Sequence, residues 1–295
     1  MTSKDASERL SKHDDIATSL IVDRLMGFKR LKLSSLELPP FQPQDEDTIK
    51  KILESVKSTR DLAMAVAELL NCDWAKAAVN LEMMDKKEKM ELESHLTMYL
   101  HGLTDVREFA IEKTVRYNME GNEGGKIVAK TEVKRGKKIE TLLGKTAKIN
   151  EEQEKSLRKC GVDTSCIIEG SKSLLVVNGA VAFLNHDCEP NSKFVPLPYG
   201  WICVEALRKI KPGEEITIHY AAGYFGRNQK TCQCPTCQSR GTGSYRKRKW
   251  GERDDLDLYT PEEENKIVKV CVSVFAFYNL ECLCIECMYT DYIMW

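Results

Sequence analysis

The sequence has no apolar run long enough to cross a bilayer. A spanning helix needs roughly 20 apolar residues, and the longest such stretch, Val270–Leu280, falls well short. Residues 1–15 are polar and charged and lack the apolar centre of an export signal. Together these absences predict no membrane partner and a reducing compartment. Neither sign of charge dominates: 44 basic against 45 acidic side chains leave a net charge of -1. The field of the whole chain therefore does not advertise nucleic-acid binding. Charge is local instead. Lys134-Arg135-Gly136-Lys137-Lys138 and Arg246-Lys247-Arg248-Lys249 read as solvated basic clusters. The second lies beside the flexible stretch Arg240–Ser244 and also fits a nuclear-import address.

The chain has 295 residues, 42% of them hydrophobic, enough for one sizeable core or two modest domains. It also holds 12 cysteines. Without export features these read as reduced thiols and metal ligands rather than disulfides. Cys232-Gln233-Cys234-Pro235-Thr236-Cys237 has C-x-C-x2-C spacing, which lets one loop wrap a tetrahedral metal on three sides. The fourth ligand must come from elsewhere, and Cys188 is best placed. Such closure would pin the chain after residue 220 against residues 185–191 and form a pocket between them. A second copy of the spacing, Cys282, Cys284 and Cys287, lacks turn residues and has only Cys271 as a further ligand. It reads as part of a weakly packed appendage.

Periodicity predicts an α+β chain. Residues 1–12 read as disordered. From residue 13 to 104 helical patterns dominate: Ile16, Leu20, Ile21 and Leu25; Ile49, Ile52, Leu53 and Val56; the alanine-rich Leu62–Leu70; a short helix opened by Asp73; and Lys86–His101. After Thr104 short strands take over, at 109–117, 126–129, 138–144, 173–177, 201–207 and 215–220, with one helix near 151–160. This predicts a helical domain at 13–104, a β-rich domain at 105–222, a cysteine loop at 223–245, and a basic cluster with an unassigned tail at 246–295.

Asn185-His186-Asp187-Cys188-Glu189-Pro190-Asn191 resembles the N-H-x-C-x-P-N signature of SET-domain lysine methyltransferases. Glu214-Glu215-Ile216-Thr217-Ile218-His219-Tyr220 resembles the later SET motif, and Cys232, Cys234 and Cys237 resemble a post-SET zinc loop. His13–Leu20, Cys72-Asp73-Trp74-Ala75, Lys126-Ile127-Val128-Ala129 and Arg240-Gly241-Thr242-Gly243 are similar to the branch that di- and trimethylates lysine 20 of histone H4, the Suv4-20 type. The resemblance covers about residues 12–249. It implies a helical domain before a SET domain with its pseudoknot, closed by a post-SET zinc loop.

It further implies S-adenosyl-L-methionine as methyl donor, one structural zinc per chain, the histone H4 tail in nucleosomes as partner, chromatin recruitment proteins, and a nuclear location. Tyr220 is carried over as the catalytic residue. Tyr117, Asn118, Met119, Glu120, Gly125, Asn185, His186, Gln233 and Phe225 are carried over as donor-binding, and Ser165 as substrate-binding. Cys188, Cys232, Cys234 and Cys237 are the metal set. On a strand Ile216, Ile218 and Tyr220 share a face, so Ile218 also faces the substrate. Isoleucine has no hydroxyl to restrain a methylated amine, which predicts addition of more than one methyl. The sequence departs from the branch at Ala221, Ser192 and Val133, where glycine, cysteine and tryptophan are frequent. His219 reads as structural, and Cys72, Cys160, Cys166 and Cys203 as buried small residues. A SET-like fold that binds a histone tail without turnover, or methylation of a non-histone lysine, stays open at this point.

Overall fold

A computed structural model of the chain describes residues 3–26, 32–34, 36–102, 108–116, 124–153, 155, 167–169, 174–220 and 224–246. The expected disorder at residues 1–12 is corrected: helix α1 spans Ser3–Ala17. Ser7, Leu10, Ser11 and Asp14 are buried at helical spacing, on a face that packs against the central sheet. Serines are small enough to lie against a sheet without a bulky side chain, so a polar sequence conceals a buried face. The helix widens into a π turn at Thr18–Val22 before its last turn, Asp23–Met26. Thr18 Oγ1 donates to the carbonyls of Asp14 (2.7 Å) and Asp15 (3.3 Å), and the Asp23 amide reaches back to the Thr18 carbonyl. The widening turns every residue from Thr18 to Val22 inward.

Four helices follow, three of them with legible caps; Asp73, expected to cap the short one, is instead its first residue, after Cys72. Helix α2, Pro43–Thr59, opens on a capping box in which the Gln42 amide donates to Asp45 Oδ2 (2.9 Å), with proline at the first helical position. Helix α3, Leu62–Asn71, is capped by Asp61, which accepts from the Met64 amide (2.9 Å). The short α4, Asp73–Ala78, follows, and α5, Lys86–His101, is capped by Asp85 accepting from Glu88 (2.8 Å).

The strands form three sheets. β1 (Phe109–Thr114) pairs with β2 (Gly124–Ala129) in antiparallel fashion. The central antiparallel sheet comprises β3 (Lys138–Ile149), β4 (Ile167–Glu169), β5 (Leu174–Asn178), β7 (Ser192–Pro196) and β8 (Trp201–Ala206), in the order β4-β5-β3-β8-β7. A parallel pair of two residues each, β6 (Asn185–His186) and β9 (Thr217–Ile218), brings the two conspicuous motifs side by side. Side chains finish what so short a pair cannot hold. Asn191 Nδ2 donates to the Glu215 carbonyl (2.7 Å), Asn191 Oδ1 accepts from the Thr217 amide (2.9 Å), and Ser192 Oγ donates to the Thr217 carbonyl (2.8 Å). Ser192 is thus spent inside the fold. The last helix, α6, is Pro235–Arg240.

Helices and sheets share one continuous core, running from Ile16 in α1 through Leu96 and Tyr99 in α5 to Val177, Ile218 and Tyr220. At its centre lies Asp14, fully buried. Its Oδ1 accepts from Tyr99 Oη (2.5 Å) and the Gly179 amide (3.1 Å), and lies 2.8 Å from His95 Nε2. One carboxylate therefore joins α1, α5 and the end of β5.

Candidate functional site

Three backbone segments converge beside the parallel pair. Ile216 donates its amide to Ile127 (2.8 Å), which sets β2 against the 214–220 segment. Asn185 Nδ2 spends its two hydrogens on the Gly125 carbonyl (3.0 Å) and Glu215 Oε1 (2.9 Å). Burial raises the Glu215 pKa, and the bond from Asn185 opposes that rise. Gly125 is sterically required here: a Cβ would fall 2.3 Å from Phe183 Cδ1.

The cysteine loop then folds onto residues 186–189. Cys188 Sγ lies 3.5 Å from Cys237 Sγ and 3.9 Å from Cys232 Sγ, and Cys234 Sγ accepts from the Cys237 amide (3.3 Å). A tetrahedral zinc with Zn–S bonds of about 2.3 Å requires sulfurs about 3.8 Å apart, so the spacing fits that ion. Cys232, Cys234 and Cys237 are buried, and all four thiols are free. Burial and the adjacent sulfurs push Cys188 up to about 12, and burial pushes Cys232 up as well. Cys237 is lowered: burial opposes its ionisation, but hydrogen bonds from Thr242 and the neighbouring sulfurs outweigh it. Ionised together, four thiolates this close would require a cation to neutralise them, a charge that zinc would supply. Gly243, at φ +58, lets the chain return over the cluster. A Cβ there would meet the Cys232 carbonyl at 2.4 Å, while Ser244 donates to that same carbonyl (3.0 Å).

His186 Nε2 also joins the group of possible ligand atoms, with Cys188, Cys232 and Cys234, all within 4.8 Å of one another. Its ring is buried, and burial followed by the proximity of His219 lowers its pKa to about 3. Next to it stands Tyr220, 7% exposed, whose hydroxyl donates to the Leu184 carbonyl (2.8 Å). Tyr224 lies edge-on to Tyr220, with ring centroids 4.9 Å apart, and Phe225 packs on Tyr224 (4.7 Å) and His186 (5.1 Å). A phenol with its proton engaged, walled by aromatic rings and abutting a metal-ready loop, suits the binding and orientation of a desolvated cation or amine.

A profile of the SET domain matches residues 66–221. Histone-lysine N-methyltransferase Suv4-20 of Caenorhabditis elegans is 30% identical over 79% of this chain and 80% of that protein. The chain belongs to the SET-domain family, of the Suv4-20 type. Histone-lysine N-methyltransferase SET9 of Phaeosphaeria nodorum is 28% identical over 86% of this chain, and its Gibberella zeae counterpart is 31% identical over 78%. The chain spans 39% and 35% of those two fungal relatives. The SET match opens at residue 66, inside α3, so its sequence pattern overlaps the helical region.

As a SET-type protein-lysine N-methyltransferase, the chain gathers most of its expected site residues in one place. Tyr220, Ile218, Asn185, His186, Gly125, Phe225, Gln233 and the four cysteines lie on the converging segments. Ile218 is buried directly opposite His186 in the parallel pair. Gln233 is half-buried between cysteines, and its carbonyl faces the Tyr245 hydroxyl (3.4 Å). Tyr117, Asn118, Met119, Glu120 and Ser165 lie outside the described residues, as do Ala221 and the tail with Cys282, Cys284 and Cys287. His219 is exposed, on the opposite side of the segment from Tyr220.

Two residues of the site escaped the sequence reading. Tyr224 had a signal, an aromatic pair with Phe225 just past the 214–220 motif. Asp187 had none. Its carboxylate accepts from Thr236 Oγ1 (2.5 Å) and the Thr236 amide (3.4 Å), latching α6 to the signature segment. Arg240 with Glu189 adds an exposed ion pair alongside.

Proposed function

We propose that this chain transfers methyl groups from S-adenosyl-L-methionine to lysine 20 of histone H4. Its setting is the nucleosome, in the nucleus, where recruitment proteins bring it to chromatin. The names of the relatives support the histone substrate, and the resemblance of the signature segments to the Suv4-20 branch supports the particular lysine. One structural zinc sits between Cys188, Cys232, Cys234 and Cys237. The observation that carries the reading is the placement of the Tyr220 hydroxyl, fixed on the Leu184 carbonyl beside the aromatic wall and the sulfur cluster.

When bound, S-adenosyl-L-methionine supplies an electrophilic methyl on a positive sulfonium. The lysine amine, with an unperturbed pKa near 10.4, must first lose its proton, and a dry cleft beside positive charge favours that loss. The amine nitrogen then forms a bond to the methyl carbon as the carbon–sulfur bond breaks. With its proton donated to Leu184, the Tyr220 hydroxyl meets an incoming amine as an acceptor. It orients the amine and receives weak C–H···O contacts. Alignment of this kind contributes several kcal/mol in favourable cases. Both Nδ2 hydrogens of Asn185 are spent within the fold, so its hydrogen-bond donation to the methyl donor runs through its main chain. Phe225 and Gln233, beside the cysteines, would cover the bound donor. Ile218 leaves the amine unrestrained, so the product carries two or more methyls.

Mass spectrometry of recombinant nucleosomes incubated with the methyl donor tests this. The expected product is dimethyl or higher at lysine 20 of histone H4, with Tyr220→Phe slower by on the order of 100-fold. No transfer at all would favour a tail-binding module, and modification of another lysine would displace the substrate.

A further inference from the structure

The two ring nitrogens of His186 are used in opposite senses. The Tyr220 amide lies 3.1 Å from Nδ1. An amide N–H only donates, so Nδ1 accepts, and an imidazole accepting at Nδ1 carries its proton on Nε2. Nε2 lies 3.3 Å from Cys188 Sγ, so the Nε2–H points at sulfur. This decides between two ligand sets that proximity alone leaves open. A metal-bound Nε2 would force the proton to Nδ1, where it would face the Tyr220 N–H, donor against donor. His186 therefore stands outside the metal's coordination, and the four sulfurs complete it.

The same bond explains how Tyr220 is held. The main-chain pairing of the two motifs ends where the Asp187 amide meets the Ile218 carbonyl (2.9 Å). Tyr220 lies two residues further on, where the imidazole of His186 takes the place of a strand partner. The ring is 1% exposed and lies against Tyr220 (5.6 Å between centroids), Phe225 (5.1 Å) and His219 (5.0 Å). It has no room to swing aside.

The geometry points to His186 as a positioning residue that couples the sulfur centre to the reactive tyrosine, donating from Nε2 to the Cys188 sulfur and accepting at Nδ1 from the Tyr220 amide. This assignment rests on the proposed roles of zinc and Tyr220. A hydrogen bond to a metal-bound sulfur orients that ligand and tempers its basicity. The amide bond fixes the backbone from which the phenol projects, so disturbance at either end is felt at the other.

Two variants separate the halves. Asparagine places Oδ1 near the Nδ1 position and keeps the acceptor while losing the sulfur donor. Glutamine places an amide N–H near the Nε2 position and keeps the donor while losing the acceptor. In the zinc-loaded chain, His186→Asn is expected to weaken zinc by about 10-fold in chelator competition and to shift the sulfur-to-metal band of the cobalt-substituted protein. His186→Gln is expected to hold zinc more tightly than His186→Asn yet to lose more kcat, about 10-fold, at unchanged KM for the histone peptide. Ring-nitrogen NMR of the zinc-loaded wild type needs no variant and should show the Nε2–H tautomer. An Nδ1–H tautomer, or the same ranking of the two variants in both assays, overturns the assignment. Full activity of Tyr220→Phe, or full zinc in Cys234→Ser, overturns the functional reading and the coupling with it. If both of those controls behave as expected, a failed crossover counts against the coupling alone.

Discussion

Asp14 and the sulfur cluster each tie together segments far apart in sequence, by different chemistry. Asp14 takes its partners from the folded chain itself: Tyr99, His95 and Gly179 converge on its Oδ1 inside the shared core. The sulfur cluster brings Cys188 to Cys232, Cys234 and Cys237 at spacings that a bound zinc would fit. The contrast separates two tasks. The carboxylate secures the platform formed by α1, α5 and β5. The cysteine loop packs against Phe225, whose ring stacks on Tyr220. The first is a matter of global stability and the second of local order.

The comparison is most easily broken at Asp14. Asp14→Ala leaves the Tyr99 hydroxyl and the Gly179 amide buried without their acceptor, and should lower the unfolding free energy by about 3–5 kcal/mol in urea titration. A loss below about 1 kcal/mol would mean that the carboxylate does not secure the platform. Cys234→Ser should remove the metal, taking metal content from about one per chain to near zero. Its global unfolding should change by less than that of Asp14→Ala, with faster amide exchange confined to residues 232–245. Global collapse instead would erase the distinction between the regions.

Acid sharpens the contrast on the Asp14 side. Burial, followed by repulsion from His95, Arg9 and Lys12, lowers the pKa of His13 from 6.5 to about 3. Its folded value lies below its unfolded value, so the unfolded chain binds more protons between them. The stability conferred by neutral His13 is complete above pH 6.5 and drains away as pH falls toward 3. At pH 5.5 the loss is about 1 kcal/mol, and His13→Gln should flatten that slope in denaturation curves taken across the range. The smallest effect is expected at Asp187→Ala. It removes the latch to Thr236 and should raise amide exchange in α6 by an amount equivalent to about 1 kcal/mol, without releasing the metal.

How much of this was legible varies by element. The alanine-rich run Leu62–Leu70 and the apolar stripes of α2 and α5 predicted those helices closely, because a single buried face determines them, whereas the caps at Asp61 and Asp85 emerge only in the structure. Residues 3–12 of α1 were missed because their buried side includes Ser7 and Ser11, residues that signal a surface unless their partners are known. A strand was expected over 215–220, but the strand proper is confined to Thr217–Ile218, preceded by an isolated bridge from Glu215 to Val128. Side chains of Asn191 and Ser192 bond the main chain of Thr217 within it, and the His186 ring takes the Tyr220 amide beyond it. At the site, cysteine spacing announced the metal loop, whereas Tyr224 and Asp187 acquire meaning only from what folds against them.

The sequence by itself determined the helical-then-stranded order, the thiol-rich loop with its C-x-C-x2-C spacing, and the two motifs that place this chain among SET-domain proteins. Tertiary structure decided which fourth sulfur meets that loop, which tautomer His186 adopts, and where the Tyr220 hydroxyl donates. The reason is physical. Caps, turns and periodic faces are satisfied within a few residues, but a tetrahedron of sulfurs and a hydrogen bond from residue 220 to residue 186 exist only after chain closure brings distant segments within bonding distance.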